Sequence, residues 1–393
     1  MHENPSRRQF LKLSAFFTAA GALPLLQASR HARAADPDAP LRIGYLPITD
    51  ATALLVAHHN GLFEKQGLAV EKPRLFRSWA QIVEAFLSGQ VNAVHLLSPM
   101  TVWARYGSGS RAKVVAWNHM AGSGLTVQPT VNQVRELGGT TVAIPFWYSI
   151  HNIVLQHLLR AEGLESIAEG QPGPRQVKLV VMAPSDMLPA LAARRIAGYI
   201  VAEPFNAAAE VLKVGRILRF TGDVWKDHAC CVVLMHEEDL ERRPEWSQKV
   251  VNGIVQAQAW IHDHRDQTAR ILAKDNAQRY TPHSYEALAR VIAPAPQQDA
   301  AYLESGAIRH ADWNEKRIDF QPYPFPSYTE SLVAMLKQTL VLGQNDFLSN
   351  LDPAFAARDL VDERFVRKAI AGVGGMQAFG LPERFERKET IAV

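Results

Sequence analysis

The chain has 393 residues, 47% hydrophobic and 21% charged, with a formal charge of +3. At roughly 100–200 residues per domain this ordinary globular composition leaves room for two lobes and some extra, and the length supplies a core without disulfide staples. No stripe of Lys and Arg interleaved with aromatics is present, so a nucleic-acid partner has no support.

The first forty residues hold much of the small positive charge. Ser6-Arg7-Arg8-Gln9-Phe10-Leu11-Lys12 precedes a moderately apolar run from Leu13 to Leu26, and Ala32-Arg33-Ala34 follows before Ala35-Asp36. A charged region, an apolar region and a small-x-small site in that order read as an export signal. The paired arginines followed by Phe-Leu-Lys resemble the twin-arginine type. A membrane anchor would need about 20 apolar residues, whereas Ser14, Thr18, Gly21 and Pro24 interrupt this run. Residues 1–34 are therefore expected to be a leader cleaved near Ala34 after passage through the twin-arginine export machinery. The mature chain is expected in the periplasm, with no cysteine at the cut to carry a lipid.

From Leu41 strands and helices alternate. Leu41–Leu46 reads as a strand ending in Pro47-Ile48-Thr49-Asp50, and Ala51–Asn60 as a helix that Thr49 or Asp50 can cap. Gly61-Leu62-Phe63-Glu64-Lys65-Gln66-Gly67-Leu68 closes that helix and leads to a strand near Val70. Trp79–Leu87 is a helix stopped by Ser88-Gly89; Val91–Leu97 and Val114–Trp117 are buried strands. After Gly122-Ser123-Gly124 the alternation restarts, with strands at Thr141–Pro145, Val177–Met182, Gly198–Val201 and Val232–Met235. Helices fall at Ile150–Glu162, which Ser149 can cap, and at Pro184–Ala193. Helical segments follow at Pro244–Ala273, Ser284–Ile292 and Tyr328–Leu342, then a helical or irregular extension over 341–393. Such alternation predicts α/β lobes with mainly parallel sheets and helices on both faces.

The only two cysteines, Cys230 and Cys231, are adjacent. A bridge between neighbours is strained, because disulfide Cα atoms sit about 4.4–6.8 Å apart. The pair reads as two small apolar residues of a buried strand, with a metal or redox role as the alternative.

Several motifs carry a family resemblance: Tyr45-Leu46-Pro47-Ile48-Thr49-Asp50-Ala51, the Gly61–Leu68 segment, Ser78-Trp79, Gly89-Gln90-Val91-Asn92-Ala93-Val94-His95, Ser98-Pro99-Met100 and Ala202-Glu203-Pro204-Phe205-Asn206. In this order they resemble the nitrate/sulfonate/bicarbonate (taurine-type) substrate-binding proteins of ABC importers, which share a fold with the pyrimidine-precursor binders of thiamine supply. The resemblance implies a type II periplasmic binding protein with a double crossover hinge. Lobe one would be 41–122 plus 228–340 and lobe two 123–227, with crossings near 121–124 and 225–229. It also implies a binding protein rather than an enzyme, a monomer without a cofactor, which hands a small-molecule solute to a cognate permease and ATPase in the inner membrane. Open α/β sheets bind ligands beyond their carboxyl strand ends, where helix N-termini present free amides, and hinge closure is the expected motion.

Candidate ligand contacts follow from those strand ends. Thr49 and Asp50 either cap the first helix or hold ligand oxygens. Trp79 opens the second helix, where the family's nitrate binder supplies a tryptophan. Ser98 and His95 mark the end of a buried strand; Ser98 is a candidate, and His95 reads more simply as a hydrogen-bonded core histidine. His119 precedes the first crossing. In Phe146-Trp147-Tyr148-Ser149-Ile150-His151-Asn152 three consecutive aromatics cannot all enter one core, and the family places ligand groups in this turn, so Tyr148, Ser149 and His151 are candidates. Glu203 is either a contact or a hinge residue, since Pro204 can open a helix. His228 lies on the second crossing, where the charged residue of the nitrate and bicarbonate binders has no match.

Two guests are open: a small anion or organic acid held by charge-assisted hydrogen bonds, and an aromatic or heterocyclic solute stacked on Trp79 or Tyr148. Fungal pyrimidine synthases of thiamine supply share the fold and use a cysteine cluster, which Cys230-Cys231 beside His228 faintly resembles. The leader, the incomplete cluster and the absence of Gly-x-Ser-x-Gly, His-Glu-x-x-His or a phosphate loop argue against an enzyme. A metal site from His119, His151, His228, Glu203 and Cys230 matches no recognised ligand spacing, so no metal is expected.

Overall fold

The structure, a computed structural model, describes residues 39–295, 297–313 and 316–393. The leader expected over residues 1–34 lies outside the described residues. Among them, no helix is long and apolar enough to cross a membrane.

The strands run in chain order as β1 (Ile43–Tyr45), β2 (Arg74–Leu75), β3 (Ala93–Leu97), β4 (Ala112–Trp117), β5 (Met120–Ala121), β6 (Ser123–Val127), β7 (Thr141–Ile144), β8 (Glu165–Ile167), β9 (Gln176–Val181), β10 (Gly198–Ala202), β11 (Arg216–Phe220), β12 (Cys231–His236) and β13 (Ile318–Asp319). One sheet has the order β2-β1-β3-β12-β4, a second β11-β6-β10-β7-β9-β8, and β13 pairs with β5 apart from both. β3 is buried along its whole length, as expected for a strand covered on both faces.

The sheets are mixed rather than mainly parallel. β1 is parallel to β2 and β3, but β12 inserts between β3 and β4 antiparallel to both. In the second sheet β7, β8 and β9 are parallel, while β6 runs antiparallel to β10 and β11. The cause is the double crossing: β6 enters the second lobe and β12 re-enters the first from the side at which the other strands end. The first crossing turns through left-handed backbone at Ala121 (φ 55°) and Gly122 (φ 76°). A side chain at Gly122 would also meet the His119 ring at 3.1 Å.

The helical stretch expected over Pro244–Ala273 is two helices, Pro244–Asp263 and Arg265–Leu272, broken at His264. The longer one accepts the Phe63 ring at Gly253, where a Cβ would lie 2.6 Å from Phe63 Cδ1. Residues 297–313, in the stretch the sequence assigns to the first lobe, lean on the second sheet: Tyr302 meets Phe220 edge-on at 4.8 Å.

The C-terminal extension packs on the first lobe through helices Pro353–Leu360 and Arg364–Gly372. Its last residues pair with the second crossing: Lys226 N donates to Thr390 O (3.0 Å), Ala392 N to Val224 O (2.8 Å), and Trp225 Nε1 to Glu389 Oε2 (2.7 Å).

Candidate functional site

The carboxyl ends of β1, β3 and β4, the start of β12 and the ends of β7 and β10 converge between the two sheets. Asp50 follows β1, His119 follows β4, and Cys230 and Cys231 lead into β12; all four are fully buried. His119 Nε2 lies 3.0 Å from Asp50 Oδ2. Burial opposes both charges, but the pairing outweighs it, holding the Asp50 carboxyl far below the usual carboxylate range and raising His119 to about 10. Neither Asp50 oxygen has a hydrogen-bond donor among the described residues, so the contact is an ion pair by distance alone.

Consecutive strand residues point to opposite faces, yet Cys230 Sγ and Cys231 Sγ are 4.0 Å apart. The chain bends at Cys230, one residue before the strand begins, and this turns both thiols toward one point. Burial opposes ionisation of Cys230, and Asp50 adds to the opposition, but the Cys231 thiol, His151 and His119 overcome them and lower it. Burial, its bond to Cys230 and nearby Asp50 push Cys231 up.

A ring of polar groups surrounds this cluster. His151, on helix Ile150–Ala161, places Nε2 2.9 Å from Ser123 Oγ and 3.7 Å from Cys230 Sγ. His228 Nε2 is 2.8 Å from Thr221 Oγ1, and burial lowers this histidine to about 3. His95 Nε2 accepts from Leu46 N at 2.8 Å, and burial lowers His95 to about 4. An acceptor role at Nε2 of a neutral imidazole puts the proton on Nδ1, and His95 Nδ1 has no partner among the described residues. The same holds for Trp79 Nε1, the side-chain amide of Asn118, His151 Nδ1 and His228 Nδ1. Buried polar atoms are hydrogen-bonded in the great majority of cases, so so many in one place mark a ligand's position. A cavity of about 480 Å³ opens beside the first crossing and reaches Ser123, with Phe220, Asp223, Tyr302 and Arg317 on its walls.

The sequence candidates divide into three groups. Asp50, His119, His151 and His228 come together at the cluster. Thr49 and Glu203 meet each other across the lobes: Glu203 O accepts from Thr49 N (2.9 Å) and Thr49 Oγ1 (3.1 Å). The Glu203 carboxylate is held by Arg317 at 2.6 Å and by Ala207 N at 3.1 Å. The Trp79 ring lies 5.5 Å from His95. The third group is committed to packing the fold. Ser98 Oγ bonds Tyr328 Oη (2.8 Å) and Ala229 O (3.2 Å), which fixes the second crossing. Ser149 caps its helix by accepting from Asn152 N at 3.0 Å. Tyr148 donates to Gln344 O at 3.0 Å, against the extension. Sequence reasoning passed over Asn118, Ser123 and Thr221, left His95 to the core, and read Cys230 and Cys231 first as apolar strand residues, with a metal or redox role only as the alternative.

Residues 34–275 match a family described as NMT1-like. The chain belongs to the NMT1-like family. It is 24% identical to the nitrate/nitrite binding protein NrtA of Synechococcus elongatus over 376 residues, covering 82% of this chain and 81% of that one. It is also 24% identical to NrtA of Nostoc sp. over 240 residues, covering 56% of this chain. The match spans about half the length of that Nostoc relative, 53%. Among solved structures, the periplasmic nitrate-binding protein NrtA from Synechocystis superposes with a TM-score of 0.72 over 90% of this chain and 93% of that one, at 18% identity. That likeness establishes the periplasmic binding protein fold for this NMT1-like chain, and the nitrate/sulfonate/bicarbonate resemblance in its sequence holds.

Proposed function

We propose that this chain is the solute-binding component of an ABC importer, working outside the cytoplasmic membrane and delivering its solute to a permease and ATPase. The observation that carries this reading is the set of fully buried, unpartnered polar atoms where two crossover-linked sheets face each other. Binding rather than catalysis is supported by the NrtA relatives, which are named as binding proteins.

The guest is small. The lobes already touch beside the cluster, at the 2.9 Å bond from Thr49 to Glu203. The Tyr148 hydroxyl is engaged by Gln344 and Trp79 lies against His95, so neither of the two aromatics at the strand ends is offered to a heterocycle as a free platform. A thermal-shift panel of nitrate, bicarbonate, sulfonates, small metal ions and pyrimidines tests the reading. A ligand at 100-fold its Kd adds about 2.7 kcal/mol of stability, and small-angle scattering on the responding ligand should show the lobes closing. A panel in which only pyrimidines or aromatic acids respond sinks the small-guest reading. No response from any member sinks the solute-binding role.

A further inference from the structure

We propose that Asp50, His119, Cys230 and Cys231 form a zinc(II) site, and that this thiophilic cation is the guest the cleft closes on. The proposal rests on the solute-binding reading above and names its ligand class.

The first argument is donor chemistry. Two thiols, an imidazole and a carboxylate are the ligand types zinc takes in tetrahedral sites, and thiolate with imidazole selects zinc over magnesium or calcium. The second is geometry. One ligand atom from each of the four residues lies within 4.8 Å of all the others. With Zn–S bonds of about 2.3 Å and Zn–N or Zn–O bonds of about 2.0 Å, a tetrahedron has S–S edges near ~3.8 Å and N–O edges near ~3.3 Å. The two sulfurs stand 4.0 Å apart, and His119 Nε2 stands 3.0 Å from Asp50 Oδ2. Shifts of a few tenths of an ångström along these two edges would seat the ion.

The third argument is the carboxylate's single partner, the His119 ring 3.0 Å away. Asp50 is fully buried and neither oxygen accepts a hydrogen bond among the described residues. A buried carboxylate is held by a charge or by donors; His119 is the one charge beside it, and when that ring gives up its proton to bind the ion, a cation between Asp50 and the sulfurs takes its place. An oxyanion placed there would meet that carboxylate at close range. The four ligands also share one side of the cleft: Asp50 and His119 lie in the turns after β1 and β4 of the first sheet, and Cys230 and Cys231 lead into its inserted strand. The other lobe adds His151, 3.7 Å from Cys230 Sγ and anchored by Ser123. The ion therefore loads onto one lobe and the second covers it. Binding is an acid–base exchange without electron transfer: the two thiols and the imidazolium each give up their proton to solvent as the metal bonds form.

The experiment uses mature protein stripped with chelator and kept reduced. Zinc alone is titrated against a chromophoric chelator, copper(I) is titrated the same way in a parallel arm, and cobalt(II) is added as a spectroscopic stand-in. The expected result is one zinc per chain, a thiolate-to-cobalt charge-transfer band with tetrahedral d–d intensity, and retention of zinc over copper(I). Loss of a supporting partner alone costs about 10–100-fold in metal affinity, so Cys230→Ser/Cys231→Ser should lose more than ~100-fold. The cobalt spectrum of the unsubstituted protein decides the matter even where that variant folds poorly. No zinc binding at micromolar free metal, equal binding by the double variant, or preference for copper(I) overturns the proposal. Scattering separates it from the parent reading. An oxyanion that closes the lobes while zinc does not removes the zinc assignment alone. Zinc that binds at the cluster without closing the lobes removes its role as the guest and counts against solute capture.

Discussion

Thr49 and Glu203 stand 154 residues apart and belong to different lobes, yet one carbonyl oxygen of Glu203 accepts both the amide and the hydroxyl of Thr49. The contact ties the end of β10 to the turn after β1, beside the polar cluster, and so holds the two sheets together across the cleft. Thr49→Val keeps the shape and the amide bond but removes the hydroxyl bond. A net hydrogen bond contributes about 0.5–1.5 kcal/mol, so the closed population should fall by about 2–10-fold. The radius of gyration of the ligand-free protein should rise and the cleft ligand should bind that much more weakly. An unchanged scattering curve would show that the latch does not set the closure equilibrium.

Glu203 has a second attachment. Its carboxylate is fully buried against Arg317, itself 4% exposed. Removing one partner of a buried ion pair costs about 3–5 kcal/mol, so Arg317→Met should lower the urea midpoint strongly, and Arg317→Met with Glu203→Gln should recover part of the loss. A double variant no better than the single would mean that Arg317 acts through its packing on Phe220 and Tyr302.

Acid stability should depend on Asp359. Arg105 donates to it at 2.7 Å, Tyr106 at 2.9 Å and Lys113 lies at 3.4 Å. The Arg105 bond, with burial opposing and Tyr106 adding, holds the Asp359 carboxyl far below its usual value. A depressed folded pKa gives stability that is present above the unfolded value of about 3.9 and fades as pH falls below it. Asp359→Asn should cost about 1–3 kcal/mol at neutral pH and flatten the loss of stability below about pH 4. Denaturation midpoints for both proteins from pH 3 to 7 check this; parallel curves would refute it.

The Gly61-Leu62-Phe63 motif has a partner that its own sequence does not reveal. Phe63 seats on Gly253, and a methyl there would come within 2.6 Å of the ring. Overpacking costs about 1–3 kcal/mol, so Gly253→Ala should lower the melting temperature despite its better helix propensity. Gly253→Ala with Phe63→Leu should restore part of it.

What the sequence made legible was whatever local pattern decides. The alternation of apolar runs and helix periods placed β1, β3, β7, β9, β10 and their helices, and the strand ends pointed to Asp50, His119, His151 and His228. β6 and β11 escaped because their inward residues include Thr126 and Arg219, whose partners Asn206 and Asp223 make them buried rather than exposed. The convergence of Cys230 and Cys231 escaped because it depends on a one-residue bend, and because Asp50 and His119 reach them from distant strands. Tyr148 and Ser98 read as contacts because their partners, Gln344 and Tyr328, sit in C-terminal segments whose path no local signal fixes.

The pairing of the final residues with the second crossing has a mechanical consequence. Val224, Trp225 and Lys226 bond to residues 389–392, and the helices just before those residues are fastened to the first lobe. Any swing of the lobes about that crossing must twist this strap as well. The resting angle of the jaw is thus set partly by a torsion spring outside the cleft, and clipping the strap should slacken the jaw while leaving every ligand-facing side chain in place.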